Sequence, residues 1–417
     1  MLNYRLSLAA LLIGGLFFCS LQEASAQSHS QTARAFVPSP EVLGMGDAAV
    51  AFASRQGVFF YDPAHLAQVA RPRDHINLLG VRGLLSSNFF EQERFIRGTI
   101  QPAVEEGTVD SLSSEELERA LELGRTRTFA GGDLLLPSFM VRVNDFGVGG
   151  GVFTRSLVRY HATDGGAQMP FIDFTGQADV IGMVSLAADF GRFGVQGLSA
   201  GLSTKYTKRY LTLKEKILDG FRDEEGVYLL TGTSFGVDVG VLYEVPSLPL
   251  PGKLNVGVAV YDFAASNFDY SFSRNLREDV AAAEDAARIE AEIEEEVALA
   301  NQKYPLSSSY RVGVAYTVPK LYGLLKDSGV ALDYLDYTKP LNGRQAFLTH
   351  FRIGAQTTVG SVLALRAGLS QGYTTFGAGL LLPVVRLDYA FYGVEEGRIP
   401  GQLPSWNHSL QLTLSLF

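Results

Sequence analysis

Cysteine is almost missing from this sequence: one residue, Cys19, in 417. A disulfide needs two thiols and a thiolate metal centre needs several, so neither is expected. Histidine is also scarce, with His29, His65, His75, His161, His350 and His408 the full set. No two stand at metal-ligand spacing, so neither a metal nor a cofactor is expected. Positive charge is in deficit, the formal net charge being -9. Basic patches interleaved with aromatics are absent, which argues against nucleic acid as a partner. After Ala26 no apolar run reaches the length of a helical membrane span. Two glycine-containing motifs lack their context. Gly197-Leu198-Ser199-Ala200-Gly201 lies within a strand pattern, where a nucleophile needs a strand-turn-helix elbow. Gly147-Val148-Gly149-Gly150-Gly151 is followed by no helix that could cradle phosphate. No enzyme is expected.

What the chain has in quantity is alternation. Phe351, Ile353, Ala355, Thr357 and Val359 alternate with Arg352, Gly354, Gln356 and Thr358. Leu410, Leu412, Leu414 and Leu416 alternate with Ser409, Gln411, Thr413 and Ser415. Similar runs begin at His75, Leu134, Phe146, Ala178, Phe193, Phe235, Leu254, Tyr310, Val330, Leu363 and Val385. Period two means extended strands with one apolar and one polar face. Short turns are expected at Asn144-Asp145, Gly191-Arg192, Gly360-Ser361 and Pro383, with longer connections between them. Residues 1–26 read as a secretory leader: Arg5, an apolar run from Leu6 to Cys19, and Ala24-Ser25-Ala26 before the cut. An exported chain of repeated amphipathic strands with alternating short and long connections predicts an all-β fold, a transmembrane antiparallel barrel of about fourteen strands. Its place is the cell outer membrane of the Gram-negative type, with membrane lipid around it.

Residues 27–73 break the pattern. Gly44-Met45-Gly46-Asp47-Ala48-Ala49-Val50-Ala51 is small and compact, and Asp62-Pro63 reads as a helix start. This stretch is expected to be a folded plug, and 74–417 the barrel. Within the barrel, Ser114 before Glu115-Glu116 predicts a short helix ending at Gly124. Leu276–Gln302 reads as an acidic helical insertion, with nine acids against two bases and a narrow stripe of Ile289, Ile293, Val297 and Ala300. It is expected to rest on the barrel rim or to dock a basic partner. Many inward strand positions are small: Gly236, Gly240, Gly257, Ala259, Gly313, Ala315, Gly354 and Gly368. Open water in the lumen would favour large polar side chains there. Small ones let a second backbone approach, so the plug is expected to fill the lumen against them.

Gly44-Met45-Gly46-Asp47-Ala48, followed by Tyr61-Asp62-Pro63-Ala64 and Leu66, resembles the N-terminal segment of the FadL (OmpP1) superfamily of outer-membrane barrels. Tyr304-Pro305-Leu306, Arg311–Tyr316, Leu365–Tyr373 and Gly393–Gly397 with Pro400-Gly401 point within it to the PorV/PorQ-like branch. Asp62 stands where that group usually has Asn, and both residues cap helices. The terminal leucines run one residue out of step with Phe417. The resemblance implies a fourteen-stranded barrel with an internal hatch, whose motif residues here are Gly44, Met45, Gly46, Asp62 and Pro63. In the transporter branch hydrophobic small molecules such as long-chain fatty acids pass. In the PorV-like branch the barrel is a subunit of a type IX secretion or surface-attachment complex, and secretion-system proteins are its partners.

Two sets of side chains are candidates for ligand contact. Phe52, Phe59 and Phe60 could line an apolar tail pocket or pack the plug. Arg352, Arg366 and Arg386, with Asp333 and Asp388, sit at polar strand positions. They could pair with one another and anchor the plug, or Arg366 and Arg386 could hold a carboxylate headgroup.

Overall fold

The computed structural model describes residues 37–52, 59–69, 75–108, 111–124, 128–164, 170–217, 227–246, 251–276, 286–304, 306, 308–321, 324–337, 346–395 and 399–416. The leader, residues 277–285 and Phe417 lie outside them. Fifteen strands are found among the described residues: β1 (His75–Ser86), β2 (Thr128–Val143), β3 (Phe146–Asp164), β4 (Pro170–Asp189), β5 (Leu198–Ile217), β6 (Tyr228–Glu244), β7 (Lys253–Tyr261), β8 (Ser271–Asn275), β9 (Ser309–Leu321), β10 (Leu325–Tyr337), β11 (Phe351–Val359), β12 (Leu363–Ser370), β13 (Tyr373–Leu381), β14 (Val385–Glu395) and β15 (Pro404–Leu416). They form one antiparallel meander, closed where β1 pairs with β15, Ile76 opposite Leu416 and Ser86 opposite Asn407.

β7 and β8 share one place in the wall. Val239–Glu244 of β6 pair with β7, and Tyr228–Thr231 of the same strand pair with β8. Fifteen segments therefore make fourteen wall positions, the expected number. The pairing of β1 with β15 closes the ring, as a chain in hydrocarbon requires because no water is there to satisfy an open edge.

Burial is inside out. On β15, Leu410 and Leu412 are 50% and 43% exposed on the outer wall, while Gln411 and Thr413 are 1% exposed on the inner one. The same inversion runs round the barrel. Ile353, Leu365, Val330 and Phe376 face outward, while Arg352, Arg366, Asp333 and Thr375 are buried. In water such a surface would forfeit about 1.5–3 kcal/mol for each large apolar side chain left unburied. Against acyl chains it forfeits nothing, so this is the exterior of a membrane-spanning barrel.

The two ends differ. One carries tight turns, such as Asn144-Asp145, where Asn144 has φ +58°, and Gly360–Val362 between β11 and β12. The other carries the long connections. Several sequence boundaries move: β2, β4 and β6 start at Thr128, Pro170 and Tyr228 rather than Leu134, Ala178 and Phe235. β5 starts at Leu198, not Phe193, because Phe190–Phe193 form a 3-10 turn capped by Asp189. β1 runs on to Ser86, and Phe89–Phe95, Ile96–Ile100 and Gln101–Glu105 add helical turns that strand periodicity did not flag. They pack through Phe95, Ile100 and Ala103 on Ala120 of the expected helix Ser114–Gly124. That helix is capped one residue earlier than expected. The Ser113 N–H donates to Glu116 Oε2 (2.8 Å), and the Ser113 Oγ accepts from the Glu116 N–H (3.3 Å). The β2–β3 ladder shifts register between Leu135 and Ser138, where Pro137 has no N–H to give.

The insertion becomes a helix from Ala286 to Lys303. It does more than rest on the rim. Ala300 and the following Tyr304 are buried with Leu211, Leu213, Leu230, Phe268 and Tyr270, so its C-terminal end packs into the loop end of the barrel. Tyr304 Oη accepts from Arg159 (2.9 Å) and lies 3.0 Å from Thr175 Oγ1. Glu292 accepts from the Tyr228 hydroxyl (2.8 Å), and Glu296 pairs with Lys214 (3.1 Å).

Candidate functional site

The plug segment lies inside the barrel in two pieces, 37–52 and 59–69. Ser39 and Pro40 start a short helix, α1 (Pro40–Leu43), with the Ser39 Oγ accepting from the Glu41 N–H. The chain then turns through Gly46 (φ +66°) and Asp47 (φ +65°). Only glycine takes that conformation freely, and Gly46 also has no room for a side chain between the backbones of Ile353 and Leu369. The second piece turns at Asp62, whose Oδ1 accepts from the Ala64 N–H (2.8 Å), with Pro63 at the first helical position. This leads into α2 (Leu66–Val69).

The small inward residues carry this segment by close approach. A Cβ on Gly257 would lie 2.5 Å from the Val50 carbonyl oxygen, and one on Gly368 2.5 Å from the Gly46 nitrogen. One on Gly44 would lie 2.8 Å from the Gly377 Cα. Gly354 abuts Met45, Gly240 abuts Asp62 and Gly201 abuts Pro63. Ala259 and Ala315 join Met45, Val50, Ala51 and Phe52 in one buried cluster. Gly236 does not touch the plug; it makes room for Asp262 beside Lys205.

Three polar anchors tie the plug to the wall. Asp333 on β10 accepts from the N–H groups of Ala49 (2.8 Å) and Val50 (2.9 Å). Arg311 on β9 reaches Asp47 (2.8 Å) and Asp333 (3.5 Å) and stacks over the Tyr61 ring, whose hydroxyl donates to Asp47 (2.7 Å). Burial alone would raise the Asp47 carboxyl. Arg311 and Arg352 outweigh it and hold that group below its ordinary value. At the third anchor Glu41 meets Arg386 (2.8 Å) and Arg366 (3.7 Å), while Asp388 meets Arg366 (2.9 Å).

Backbone carbonyls add more. Pro38 accepts from Arg82, Ala67 from Arg142 and Tyr61 from Tyr261. Gly44 accepts from Thr375 (3.1 Å). His65 Nε2 donates to the Val50 carbonyl (2.9 Å), joining the two pieces, and burial lowers its imidazole to about 4. Burial likewise pushes the Asp62 carboxyl well above its ordinary value.

A cavity of about 860 Å³ opens at the turn end beneath the plug. Phe52, Arg366, Arg386 and Glu41 line it, with Asn255, Gln356 and Val318. Phe52 thus comes together with Arg366, 314 positions along the chain, and with Arg386, 334 along. Phe59 and Phe60 do not join them. Their rings pack on Phe153 at 5.4 and 5.0 Å in a filled core with Leu66 and Met140. Arg352 donates to the Thr349 carbonyl (2.8 Å) and neighbours Asp47. Sequence reasoning left out Glu41, Asp47 and Arg311 as site residues. The signal was there: a carboxylate inside a run of small residues must meet a cation if the run is buried.

Ser199 of the serine motif faces inward on β5, and the glycine run 147–151 is part of β3. Gly147 serves the plug, its Cα facing Leu66. The elbow and the phosphate cradle are absent from both described segments.

Fold and site together define a closed fourteen-stranded antiparallel membrane barrel with its N-terminal segment seated in the lumen. No family model matches the chain, and no curated protein matches it. Among solved structures it is similar to the TodX monoaromatic hydrocarbon channel deltaS2 mutant, at 13% identity over 90% of this chain and 96% of that one, TM-score 0.49. It is similar to a Pseudomonas aeruginosa FadL homologue at 11% identity over 91% and 98%, TM-score 0.44. The CymD monoaromatic hydrocarbon channel gives 13% identity over 90% and 96%, TM-score 0.46.

Proposed function

We propose that this chain is an outer-membrane barrel that binds hydrophobic small molecules, long-chain fatty acids among them, and passes them beyond an N-terminal hatch. Residues 27–73 form the hatch and 74–417 the barrel, after removal of a leader near Ala26. One observation carries the reading. Phe52 from the plug and Arg366 and Arg386 from the wall line one cavity of about 860 Å³. Its size lies within the range of small-molecule sites. An apolar ring and two guanidiniums suit an amphiphile with an acidic head. The resemblance of Gly44–Ala48 and Tyr61–Leu66 to the FadL superfamily supports the same class of ligand.

The hatch is tested by deleting Val42–Gln68 and recording conductance in planar bilayers. The expected result is an open pore; a pore as closed as the intact protein's refutes it. Native mass spectrometry of protein extracted from outer membranes tests the ligand, the expected result being retained fatty acid.

A second reading, a PorV/PorQ-like subunit of a type IX secretion or attachment complex, is favoured by the loop-end helix Ala286–Lys303. Glu290, Glu294 and Glu295 are exposed on it. Reversing these three to lysine leaves the buried Ala300 and Tyr304 contacts in place. Loss of a stable partner from outer-membrane pull-downs would support the second reading, and retained lipid with no partner in the unaltered protein would support the first.

A further inference from the structure

The anchor at Glu41 differs from the other two because it borders the cavity. Glu41, Arg366 and Arg386 all line it, whereas Asp47, Arg311 and Asp333 do not. Two guanidiniums there face two carboxylates. Asp388 belongs to β14 and is held by both arginines, through Arg366 Nη1 (2.9 Å) and Arg386 Nε. Glu41 belongs to the four-residue helix α1 and meets the same two arginines from the plug side. Arg366 is 1% exposed and Arg386 16%. The second is the one a molecule in the cavity would meet first.

We propose that Arg366 and Arg386 form a carboxylate subsite that Glu41 occupies as an internal ligand, and that an anionic amphiphile entering the turn-end cavity exchanges with Glu41 and so loosens α1. The inference rests on the reading that the cavity takes amphiphiles; it adds what their acidic head does. With Glu41 displaced and nothing in its place, the wall would keep two cations against one anion, an unbalanced charge in a low-dielectric setting. A ligand carboxylate restores the balance and leaves Glu41 without these two arginines. Asp388 cannot leave, because its strand is part of the ring. Other contacts of the same stretch remain: Leu43 packs on Ala390, Tyr392 and Val394, and Thr375 bonds the Gly44 carbonyl. Exchange therefore loosens the first piece of the plug; it does not eject the whole.

Competition has a definite sign, because coupling between two occupants of one site is reciprocal. Removing the internal competitor must tighten the external ligand. A purely structural Glu41 predicts the reverse or no change, since its loss would only disorder the wall of the cavity.

The experiment uses the full mature protein in detergent, with dodecanoate and dodecanol as probes in equilibrium dialysis. Hydrogen exchange at the Val42–Met45 amides is read in parallel, and heat-modifiable migration checks that each variant is folded. Glu41→Gln is expected to bind dodecanoate about five- to 150-fold tighter than the unaltered protein, the usual span of such coupling. Glu41→Asp, a shorter competitor, is expected to fall between, and Arg386→Gln to lose the preference for dodecanoate over dodecanol. Dodecanoate, and not dodecanol, is expected to speed exchange at Val42–Met45 in the unaltered protein. Equal or weaker dodecanoate binding by Glu41→Gln, while the unaltered protein binds both probes, overturns the exchange and leaves the proposed function standing. Binding of neither probe by any variant overturns both.

Discussion

Asp333→Ala separates the plug from the wall without touching either the plug's sequence or a ladder hydrogen bond. The carboxylate takes two buried N–H groups, from Ala49 at 2.8 Å and Val50 at 2.9 Å, and stands 3.5 Å from Arg311. A buried donor left without an acceptor costs about 1–3 kcal/mol, so the two together cost about 2–6 kcal/mol. Arg311 keeps Asp47, which spares most of the about 3–5 kcal/mol that breaking a buried ion pair otherwise costs. A central expectation of about 4 kcal/mol corresponds to roughly a thousandfold shift in the docking equilibrium. Hydrogen exchange at the Ala49 and Val50 amides reads that shift directly, and planar-bilayer conductance reads its consequence. Both N–H groups go to the same oxygen, Oδ2, so Asp333→Asn with its carbonyl there keeps both bonds, loses only the charge, and should lose much less. Unchanged protection at Val50 in a folded Asp333→Ala barrel would refute the reasoning, because the amide would then owe its protection to something other than the carboxylate.

Three further outcomes follow from the same geometry. Gly257→Val puts a branched side chain where the Val50 carbonyl already lies, so the plug should fail to seat and conductance should rise; Gly182→Ala, with no atom within 4 Å of its added Cβ, should change nothing. Acid should loosen the plug through His65, whose folded imidazole is lowered to about 4 from 6.5. Between those values the undocked state binds more protons, so docking is fully present above about pH 6.5 and is lost by about 3 kcal/mol as pH falls to 4. Asp62, raised by burial, works the other way. His65→Gln should flatten the acid dependence of proteolysis within 59–69, and a dependence that persists would assign it elsewhere. Tyr304→Ala empties a buried aromatic site among Leu211, Leu230 and Phe268 and should cost the helix's packing there about 3–5 kcal/mol, read as faster exchange along Ala286–Lys303.

Buried charges of the interior tie wall to wall as well as wall to plug. Beyond the three plug anchors, Arg209 grips Asp179 with two bonds of 2.7 and 2.8 Å, and Lys205 sits between Asp238 (2.8 Å) and Asp262 (2.7 Å). Buried pairs of this kind add little net stability, but removing one partner is costly. They fix position. Fixed position is what keeps residues 44–51 of the plug from sliding along the glycines and alanines that face them.

Period-two alternation is a local property of the pleated chain, so the sequence alone determined thirteen of the strands, which face of each is apolar, and the small inward residues that leave room for a plug; Ser271–Asn275 and Tyr373–Leu381 were not among its runs. Leu410, Gln411 and Leu412 report their opposite faces without any knowledge of their neighbours. The compact run Gly44–Ala51 and the Asp62-Pro63 start were legible for the same local reason. Partnership was not. Val50 and Asp333 are 283 positions apart, and Arg311 and Asp47 are 264 apart. Which carboxylate meets which arginine depends on the register at which β1 closes on β15 and on how deep the plug sits, and no local pattern encodes either. The tertiary structure alone decided that β7 and β8 share one wall position. It also set Phe52 apart from Phe59 and Phe60, and put Glu41 on the two arginines that face the cavity, because barrel closure brings distant strands to one lumen.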